Sequence, residues 1–286
     1  FIDRSASIYW GNRINEKIIE NMPHLKWIHF GSVGVDNART RDVVQREIIV
    51  TNSQNLVTNA MTSSVIAFMF SLGRGLHRSN NLKYTNNMNR KKFDNYFFEI
   101  NDFFEQKCLI VGYGNVGKNL AKILKSFNMK ISVISRSNLK SSYLFDNRFS
   151  LEDLDEAVSD VDYIINLLPL NKQTHKIFSK KTFAKMKKSS FFINIGRGET
   201  VDEKALIEAL YKSEISGAGL DVFENEPLSK NSPLIGMGNV MLSPHVAGLS
   251  QSYWDKQYNL FANNLKYFTE NNFSKMENII NMEKEI

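Results

Sequence analysis

The sequence predicts an α/β protein whose larger part is a doubly wound parallel sheet. From Lys107 onward, short continuous apolar runs alternate with helical patterns, which is typical of parallel strands covered by helices on both faces. The first of these runs leads directly into a glycine-rich turn followed by a helix. The 286 residues, 42% of them hydrophobic and 23% charged, suffice for a large core and about two domains.

Composition excludes several classes of protein. A single cysteine, Cys108, rules out a disulfide scaffold, and no apolar run approaches the ~20 residues that span a bilayer. The first residues lack the basic and apolar regions of a signal peptide, so we expect a cytoplasmic protein without a membrane partner. The net charge of +6 comes from scattered lysines and arginines, which favours anionic small molecules over nucleic acid.

The first part of the chain predicts short strands, two helices and a surface connection. The spacing of the apolar residues, and the glycines and prolines that end each run, predict strands at 8–10, 25–30 and 48–50 and helices at 15–22 and 62–76. Residues 78–102 are polar and rich in asparagine, which predicts a connection.

The second part predicts regular strand and helix alternation. Strands are expected at 108–111, 130–134, 162–167, 191–195, 215–220 and 240–242, and helices at 116–127, 151–158, 179–186 and 202–211. A long amphipathic helix at 250–271 can return to the first domain. We therefore predict two domains, one of residues 1–77 and 250–286 and one of residues 78–249.

The glycine-rich turn predicts a Rossmann-type dinucleotide site. Gly112-Tyr113-Gly114-Asn115-Val116-Gly117 has the G-x-G-x-x-G spacing between an apolar strand and a helix. Its glycines permit a tight turn, close backbone approach to a pyrophosphate and helix packing, while the helix N-terminus offers free N–H groups.

The end of the next strand predicts which dinucleotide binds. An NAD site usually has a carboxylate there, but this strand ends in Ser135-Arg136-Ser137. A guanidinium and two hydroxyls suit a 2′-phosphate, so NADP(H) is preferred and NAD(H) remains possible.

Three later strands end in segments that carry polar side chains. They are the segments around Arg197, from Asp221 to Glu226, and around His245. Together they supply a fixed cation, a carboxylate and an imidazole at the sheet edge where ligands of such folds bind. Hydride transfer to a 2-oxo acid needs a proton donor for the nascent alkoxide and a cation for the carboxylate.

This ordered set resembles the D-isomer-specific 2-hydroxyacid dehydrogenase family over nearly the whole chain. The resemblance implies that Arg197 binds the substrate carboxylate and polarises its carbonyl, and that His245 is the acid–base group that protonates the product oxygen. Glu226 would hydrogen-bond His245 and keep the imidazole protonated for reduction. It also implies a smaller flavodoxin-like substrate domain.

The resemblance assigns the remaining contacts to the cofactor and the substrate. Leu168-Pro169 matches the turn beside the cofactor ribose, Asp221 the residue that holds the nicotinamide carboxamide, and Gly248 a further cofactor contact. Val33 and Gly34 would bind the substrate carboxylate through their backbone N–H groups. A homodimer built through the dinucleotide domains is also implied.

Within the family, Ser135-Arg136-Ser137 and 165–169 look most like NADPH-dependent glyoxylate/hydroxypyruvate reductases. The predicted activity is hydride transfer from NADPH to a small 2-oxo acid to give a D-2-hydroxy acid. Glu226, where the formate-oxidising branch has glutamine, argues against formate. The alternatives are an NAD-dependent dehydrogenase of a bulkier D-2-hydroxy acid and a non-catalytic dinucleotide-sensing protein on the same scaffold.

Two departures from the family pattern stand out. The substrate domain begins where a middle strand is expected, so about 30 residues, one strand–helix–strand unit, are expected to be missing from its N-terminal side. Met61-Thr62-Ser63 stands where many members have two small residues and a glutamate. No metal site is expected, because the histidines have no ligand spacing and no H-E-x-x-H or C-x-x-C occurs.

Overall fold

A computed structural model describes residues 3–35, 38, 40–86, 88–94, 100–136 and 142–282. The chain forms two compact units, Phe1–Val57 with Leu249–Ile286, and Thr58–Gly248.

The smaller unit contains a three-stranded parallel sheet in the order β1-β2-β3. Its strands and helices are β1 (Ile8–Trp10), α1 (Glu16–Glu20), β2 (Trp27–His29), α2 (Arg41–Gln45), β3 (Ile49–Thr51) and α10 (Tyr253–Thr269). Aromatic stacking joins α10 to this sheet, since the Phe261 ring lies 4.3 Å from that of Trp10 and 5.1 Å from that of Trp27.

Buried side-chain hydrogen bonds connect the strands of the same sheet. The Trp27 indole N–H donates to Thr51 Oγ1 at 2.8 Å, and Thr51 Oγ1 lies 2.7 Å from Nδ1 of His29. His29 is fully buried, and burial lowers its pKa to about 4. This histidine is therefore neutral in the folded protein near neutral pH.

The larger unit contains a seven-stranded parallel sheet in the order β10-β9-β8-β7-β4-β5-β6. Its strands are β4 (Lys107–Val111), β5 (Lys130–Ile134), β6 (Asn147–Phe149), β7 (Tyr163–Asn166), β8 (Phe191–Asn194), β9 (Gly217–Leu220) and β10 (Val240–Leu242). Its helices are α3 (Thr58–Gly73), α4 (Leu76–Tyr84), α5 (Arg90–Phe93), α6 (Asn115–Leu124), α7 (Leu154–Ala157), α8 (Lys180–Phe183) and α9 (Glu203–Tyr211).

This sheet confirms the predicted doubly wound topology. Strands β7, β8 and β9 are buried along their whole length, as is β4 after Lys107, because helices cover both faces. Strand order reverses between β4 and β7, which places a crevice at their carboxyl ends. Cys108 is fully buried on β4, and burial raises the pKa of its thiol well above the usual range.

Helix α3 differs from its predicted place. It begins at Thr58 and belongs to the larger unit, so the division between units falls after Val57 and not after residue 77. The physical reason is packing: a β-carbon on Gly219 of β9 would lie 2.8 Å from Phe68 Cγ of α3. The helix lies directly on the sheet because this part of β9 carries no side chain.

The departure at Met61-Thr62-Ser63 lies inside α3. Thr62 is buried, and its hydroxyl accepts a hydrogen bond from Asn119 of α6 at 3.1 Å. The segment therefore contributes to helix packing.

Several elements differ from the sequence-based expectations. The region expected to be a connection contains α4 and α5, and strand β6 adds an unpredicted edge to the sheet. Helices α7 and α8 have four residues each and are shorter than expected. Within the described ranges, no helix combines the length and hydropathy needed to cross a membrane.

Candidate active site

The three predicted polar segments leave adjacent parallel strands. Arg197 follows β8, Asp221 and Glu226 follow β9, and His245 follows β10. Because β8, β9 and β10 are neighbours in one parallel sheet, these segments emerge side by side at its carboxyl edge.

Glu226 and His245 form a hydrogen-bonded pair. Oε2 of Glu226 lies 2.7 Å from Nδ1 of His245, while Oε1 accepts the backbone N–H of Phe223 at 3.1 Å. With the carboxylate ionised, Nδ1 must be the donor, which leaves Nε2 to exchange a proton with a ligand. The imidazole is 54% exposed, so a bound molecule can reach it.

The backbone of His245 is held in an unusual conformation. Its φ is +53°, in the left-handed region that non-glycine residues seldom adopt. The backbone N–H of His245 donates to the Asp221 carbonyl at 2.8 Å. The Asp221 side chain is 1% exposed and accepts hydrogen bonds from Val246 N and Ala247 N, each at 2.9 Å.

Two glycines determine how closely the Arg197 loop packs. A β-carbon on Gly196 would lie 2.7 Å from the carbonyl oxygen of Leu168, in the loop after β7. A β-carbon on Gly198 would lie only 1.8 Å from the carbonyl oxygen of Phe223, in the Glu226 loop. The backbone on either side of Arg197 therefore contacts the backbone of two other site loops directly.

Buried polar side chains that the sequence analysis does not identify support this loop. Asn166 Nδ2 donates to Oδ1 of Asn194 at 3.0 Å and to Oγ1 of Thr200 at 2.7 Å. The Thr200 hydroxyl donates to the Arg197 carbonyl at 2.6 Å. The sequence does carry a signal for these residues, because the apolar strands β7 and β8 each end in an asparagine. A buried amide requires hydrogen-bond partners, so both residues indicate a polar network.

A cavity of about 270 Å³ opens at the carboxyl ends of β4, β5 and β7. It brings together seven predicted cofactor residues, namely Gly112, Tyr113, Gly114, Ser135, Arg136, Leu168 and Pro169. Ser137 lies outside the described residues.

The cavity fits a dinucleotide. A β-carbon on Gly114 would meet no atom within 4 Å, so open space lies beside this glycine, whereas Gly117 approaches Gly112 so closely that a β-carbon would lie 2.6 Å from its carbonyl oxygen. Helix α6 begins at Asn115, and its N-cap residue, Gly114, makes no side-chain cap hydrogen bond. A helix N-terminus of this kind attracts phosphate groups.

The charge of the cavity favours a phosphorylated ribose. Arg136 lines it together with Ser135 and the amides Asn171 and Gln173. None of the described side chains lining it is a carboxylate. The cavity therefore offers a cation and hydrogen-bond donors to the dianionic phosphate of a phosphorylated ribose.

The predicted substrate loop lies in the smaller unit and Gly248 ends the larger one. Val33 is 40% exposed, and its carbonyl accepts Nδ2 of Asn52 at 2.6 Å. The Gly34 carbonyl accepts the Ser32 hydroxyl at 2.9 Å. These two hydrogen bonds are accepted by backbone carbonyl groups of the loop and hold its backbone in place.

Within the described ranges, no group of three or more His, Cys, Asp or Glu side chains could hold a metal ion.

Comparison with known proteins gives close sequence relatives. Residues 66–247 match the family model described as D-isomer specific 2-hydroxyacid dehydrogenase, NAD binding domain. The chain is 36% identical over 255 residues to glyoxylate/hydroxypyruvate reductase B of Escherichia coli K12, covering 86% of this chain and 75% of that protein. It is 36% identical over 236 residues to a probable 2-ketogluconate reductase of Dictyostelium discoideum, covering 82% and 70%.

The fold has close counterparts among solved structures. An NADPH-dependent glyoxylate/hydroxypyruvate reductase of Sinorhizobium meliloti, solved with NADP and malonate, aligns with a TM-score of 0.82 at 26% identity. The alignment covers 98% of this chain and 85% of that one. By sequence match and fold, the chain belongs to the D-isomer-specific 2-hydroxyacid dehydrogenase family.

Proposed function

We propose that this protein is an NADPH-dependent reductase of small 2-oxo acids, with glyoxylate or hydroxypyruvate as substrate. The observation that carries the proposal is the Glu226–His245 pair, with a bond of 2.7 Å, at the same sheet edge as the Arg136 cavity. The names of the Escherichia coli and Sinorhizobium meliloti relatives support this substrate class and cofactor.

The residues of the glycine loop and the strand ends would hold the cofactor. Backbone N–H groups of 112–117 and the start of α6 would bind the pyrophosphate, and Ser135, Arg136 and Ser137 would bind the 2′-phosphate. Leu168 and Pro169, which line the cavity, would contact the ribose, and Gly248 would contribute a further contact. Asp221 is assigned by resemblance to the nicotinamide carboxamide.

NADPH, when bound, would supply a hydride for reduction of the oxo acid's carbonyl group. Arg197 binds the substrate carboxylate and polarises the carbonyl oxygen. The family resemblance also assigns the backbone N–H groups of Val33 and Gly34 to substrate binding. His245 donates its Nε2 proton to the developing alkoxide. Glu226 stabilises the imidazolium and fixes the ring through Nδ1.

Initial rates test the proposal. NADPH and NADH are each paired with glyoxylate, hydroxypyruvate and phenylpyruvate, and we expect NADPH with the two small acids to give the highest kcat/KM. Preference for NADH with phenylpyruvate would replace the proposal by an NAD-dependent dehydrogenase of a bulkier acid. Binding of NADPH without turnover of any oxo acid would indicate a dinucleotide-sensing protein.

Two variants test the residue roles. His245→Ala is expected to lower kcat by ~10²-fold or more with nearly unchanged NADPH affinity, while the exposed His24→Ala is the matched control. Arg197→Ala is expected to lower kcat/KM mainly through a higher KM for the oxo acid. Normal turnover by His245→Ala, or an unchanged KM in Arg197→Ala, contradicts the respective role.

We also propose that the enzyme acts in the cytoplasm as a homodimer associated through its dinucleotide domains. Light scattering after size exclusion is expected to give twice the chain mass of 32.9 kDa, and a monomer mass contradicts the dimer.

A further inference from the structure

Helix α10 holds the peptide group from which the predicted substrate loop leaves. Gly31 directly precedes this loop, which carries Val33 and Gly34. The carbonyl oxygen of Gly31 accepts two hydrogen bonds from α10, one from Nε2 of Gln257 at 2.8 Å and one from the Tyr253 hydroxyl. The start of the loop is therefore fixed by two side chains of one helix.

The Gln257 side chain is buried, and its amide connects three parts of the smaller unit. The residue is 0% exposed on α10. Besides its bond to Gly31, Nε2 lies 2.6 Å from Ser53 Oγ, and that hydroxyl lies 2.7 Å from the Phe30 carbonyl oxygen. The hydroxyl can accept from the amide and donate to the carbonyl, so both N–H bonds of the amide are used. Gln257 thus joins α10 to the end of β2 and to the segment after β3.

Two further carbonyl groups of the loop are held beside this amide. The Ser32 carbonyl accepts the Ser53 N–H at 3.0 Å. The Val33 carbonyl accepts Nδ2 of Asn52 at 2.6 Å. Because Asn52 and Ser53 are consecutive, and the Ser53 hydroxyl also contacts the buried amide, the carbonyl groups of residues 31–33 turn toward one cluster of donors.

The N–H groups of the loop face away from these donors. A trans peptide group is planar, so its N–H points opposite to its C=O. The N–H groups that share peptide groups with the three held carbonyls belong to residues 32–34. In the part of the chain that the structure describes, none of these N–H groups has a hydrogen-bond acceptor. Consecutive backbone N–H groups that point to one side of a loop bind anions such as carboxylates.

We propose that Gln257 is a positioning residue that keeps the N–H groups of the substrate loop turned toward the substrate carboxylate, through its bonds to Gly31 and Ser53. The inference rests on the proposed function for the role of this loop. Carboxylate binding contributes equally to the ground state and the transition state, because the carboxylate does not react. Loss of the amide is therefore expected to raise KM for the oxo acid and to leave kcat nearly unchanged.

The main test is Gln257→Met, which keeps the length of the side chain and removes its amide. We expect KM for glyoxylate to rise by about tenfold, the effect of one lost buried hydrogen bond, with kcat within about twofold and KM for NADPH unchanged. The inhibition constant of oxalate, which has carboxylates but no ketone or aldehyde group, is expected to rise by the same factor. An unchanged KM for glyoxylate, or a fall in kcat of more than about twofold, overturns the proposal.

Further variants separate positioning from general destabilisation. Tyr253→Phe removes the other donor to Gly31 and is expected to raise KM for glyoxylate as well; it decides the matter if Gln257→Met does not fold, and an unchanged KM then overturns the proposal. Asn264→Leu is the matched control, because this residue is also 0% exposed on α10 but its amide bonds to the Glu277 backbone, at 3.0 and 2.7 Å. It is expected to keep the wild-type KM, and an equal rise of KM in Asn264→Leu overturns the proposal.

A readout without turnover distinguishes this inference from the proposed function. The Ser32 N–H shares a peptide group with the Gly31 carbonyl, and with ¹⁵N-serine labelling its signal is assigned through its loss in Ser32→Ala. We expect that signal to shift in Gln257→Met and to keep its position in Asn264→Leu. An inactive wild-type enzyme whose signal responds in this way refutes the proposed function alone, whereas a signal that Gln257→Met leaves in place refutes the positioning role.

Discussion

Gly198 and Phe223 are in backbone contact so close that a β-carbon on the glycine would lie 1.8 Å from the phenylalanine carbonyl oxygen. The loop that carries Arg197 and the loop that carries Glu226 are therefore one packed unit. Their spacing follows from the absence of a side chain at a single position.

Gly198→Ala is expected to push these two loops apart and to lower kcat/KM by about 10²-fold, since displacements of about 1 Å at reacting groups have such effects. Steady-state kinetics with glyoxylate measure this. Gly236→Ala is the matched control, because a β-carbon there meets no atom within 4 Å. Equal activity of the two variants would refute the importance of the contact.

Glu226→Gln leaves one hydrogen bond without an acceptor. The carboxylate accepts both the Phe223 N–H and the His245 ring, at 3.1 and 2.7 Å, whereas an amide has only one oxygen. We expect kcat to fall by about 10²-fold, the usual contribution of a positioned acid–base group, with unchanged NADPH affinity. Glu224→Gln is the control: Glu224 lies in the same loop as Glu226 but pairs with Lys176, and this variant is expected to retain turnover.

Arg136→Ala tests cofactor selection. Removing the guanidinium from the cavity is expected to raise KM for NADPH by at least about tenfold and to leave KM for NADH nearly unchanged, because only NADPH carries the 2′-phosphate. Arg90→Ala on helix α5, where the guanidinium pairs with Asp94, removes the same charge outside the cavity lining and is the control. A parallel change for both cofactors would show that Arg136 does not read the phosphate.

His29 makes the stability of the protein depend on pH. Its folded-state pKa of about 4 lies below the ordinary 6.5, so between these values the unfolded chain binds the proton and the folded chain does not. The contribution is complete above pH 6.5 and is lost as the pH falls toward 4, amounting to about 3 kcal/mol over the whole range. We expect wild type to lose about 2 kcal/mol more between pH 7 and 5 than His29→Asn.

Urea unfolding at several pH values between 5 and 7.5 measures this difference. His24→Asn, at an exposed position, is expected to follow wild type. Parallel stability curves for wild type and His29→Asn would mean that the buried imidazole is not the group responsible.

The sequence predicts the central strands of the large sheet because each is a continuous apolar run. Strand β6 (Asn147–Phe149) is not predicted, because it lies at the edge of the sheet, has only three residues and exposes two of them. Helix α4 (Leu76–Tyr84) is rich in asparagine and serine, whose weak helix propensity hides it. Both elements depend on tertiary packing that local pattern does not report.

The candidate site shows the same limit. Arg197, Glu226 and His245 could be identified because each follows a predicted strand, and strand adjacency brings their loops together. The contacts that hold these loops join Asn166 to Thr200 and Asp221 to Ala247, far apart in sequence and without characteristic spacing. Their catalytic roles remain predictions, to be decided by the kinetics described above.

The enclosed thiol of Cys108 gives the protein a built-in reporter of opening. As the only cysteine, fully buried and held protonated by its surroundings, it is expected to resist maleimide reagents while β4 remains in the sheet. Any alkylation that does occur then reports exposure of this strand, and the rate of labelling with and without NADPH measures how far ligand binding suppresses that opening.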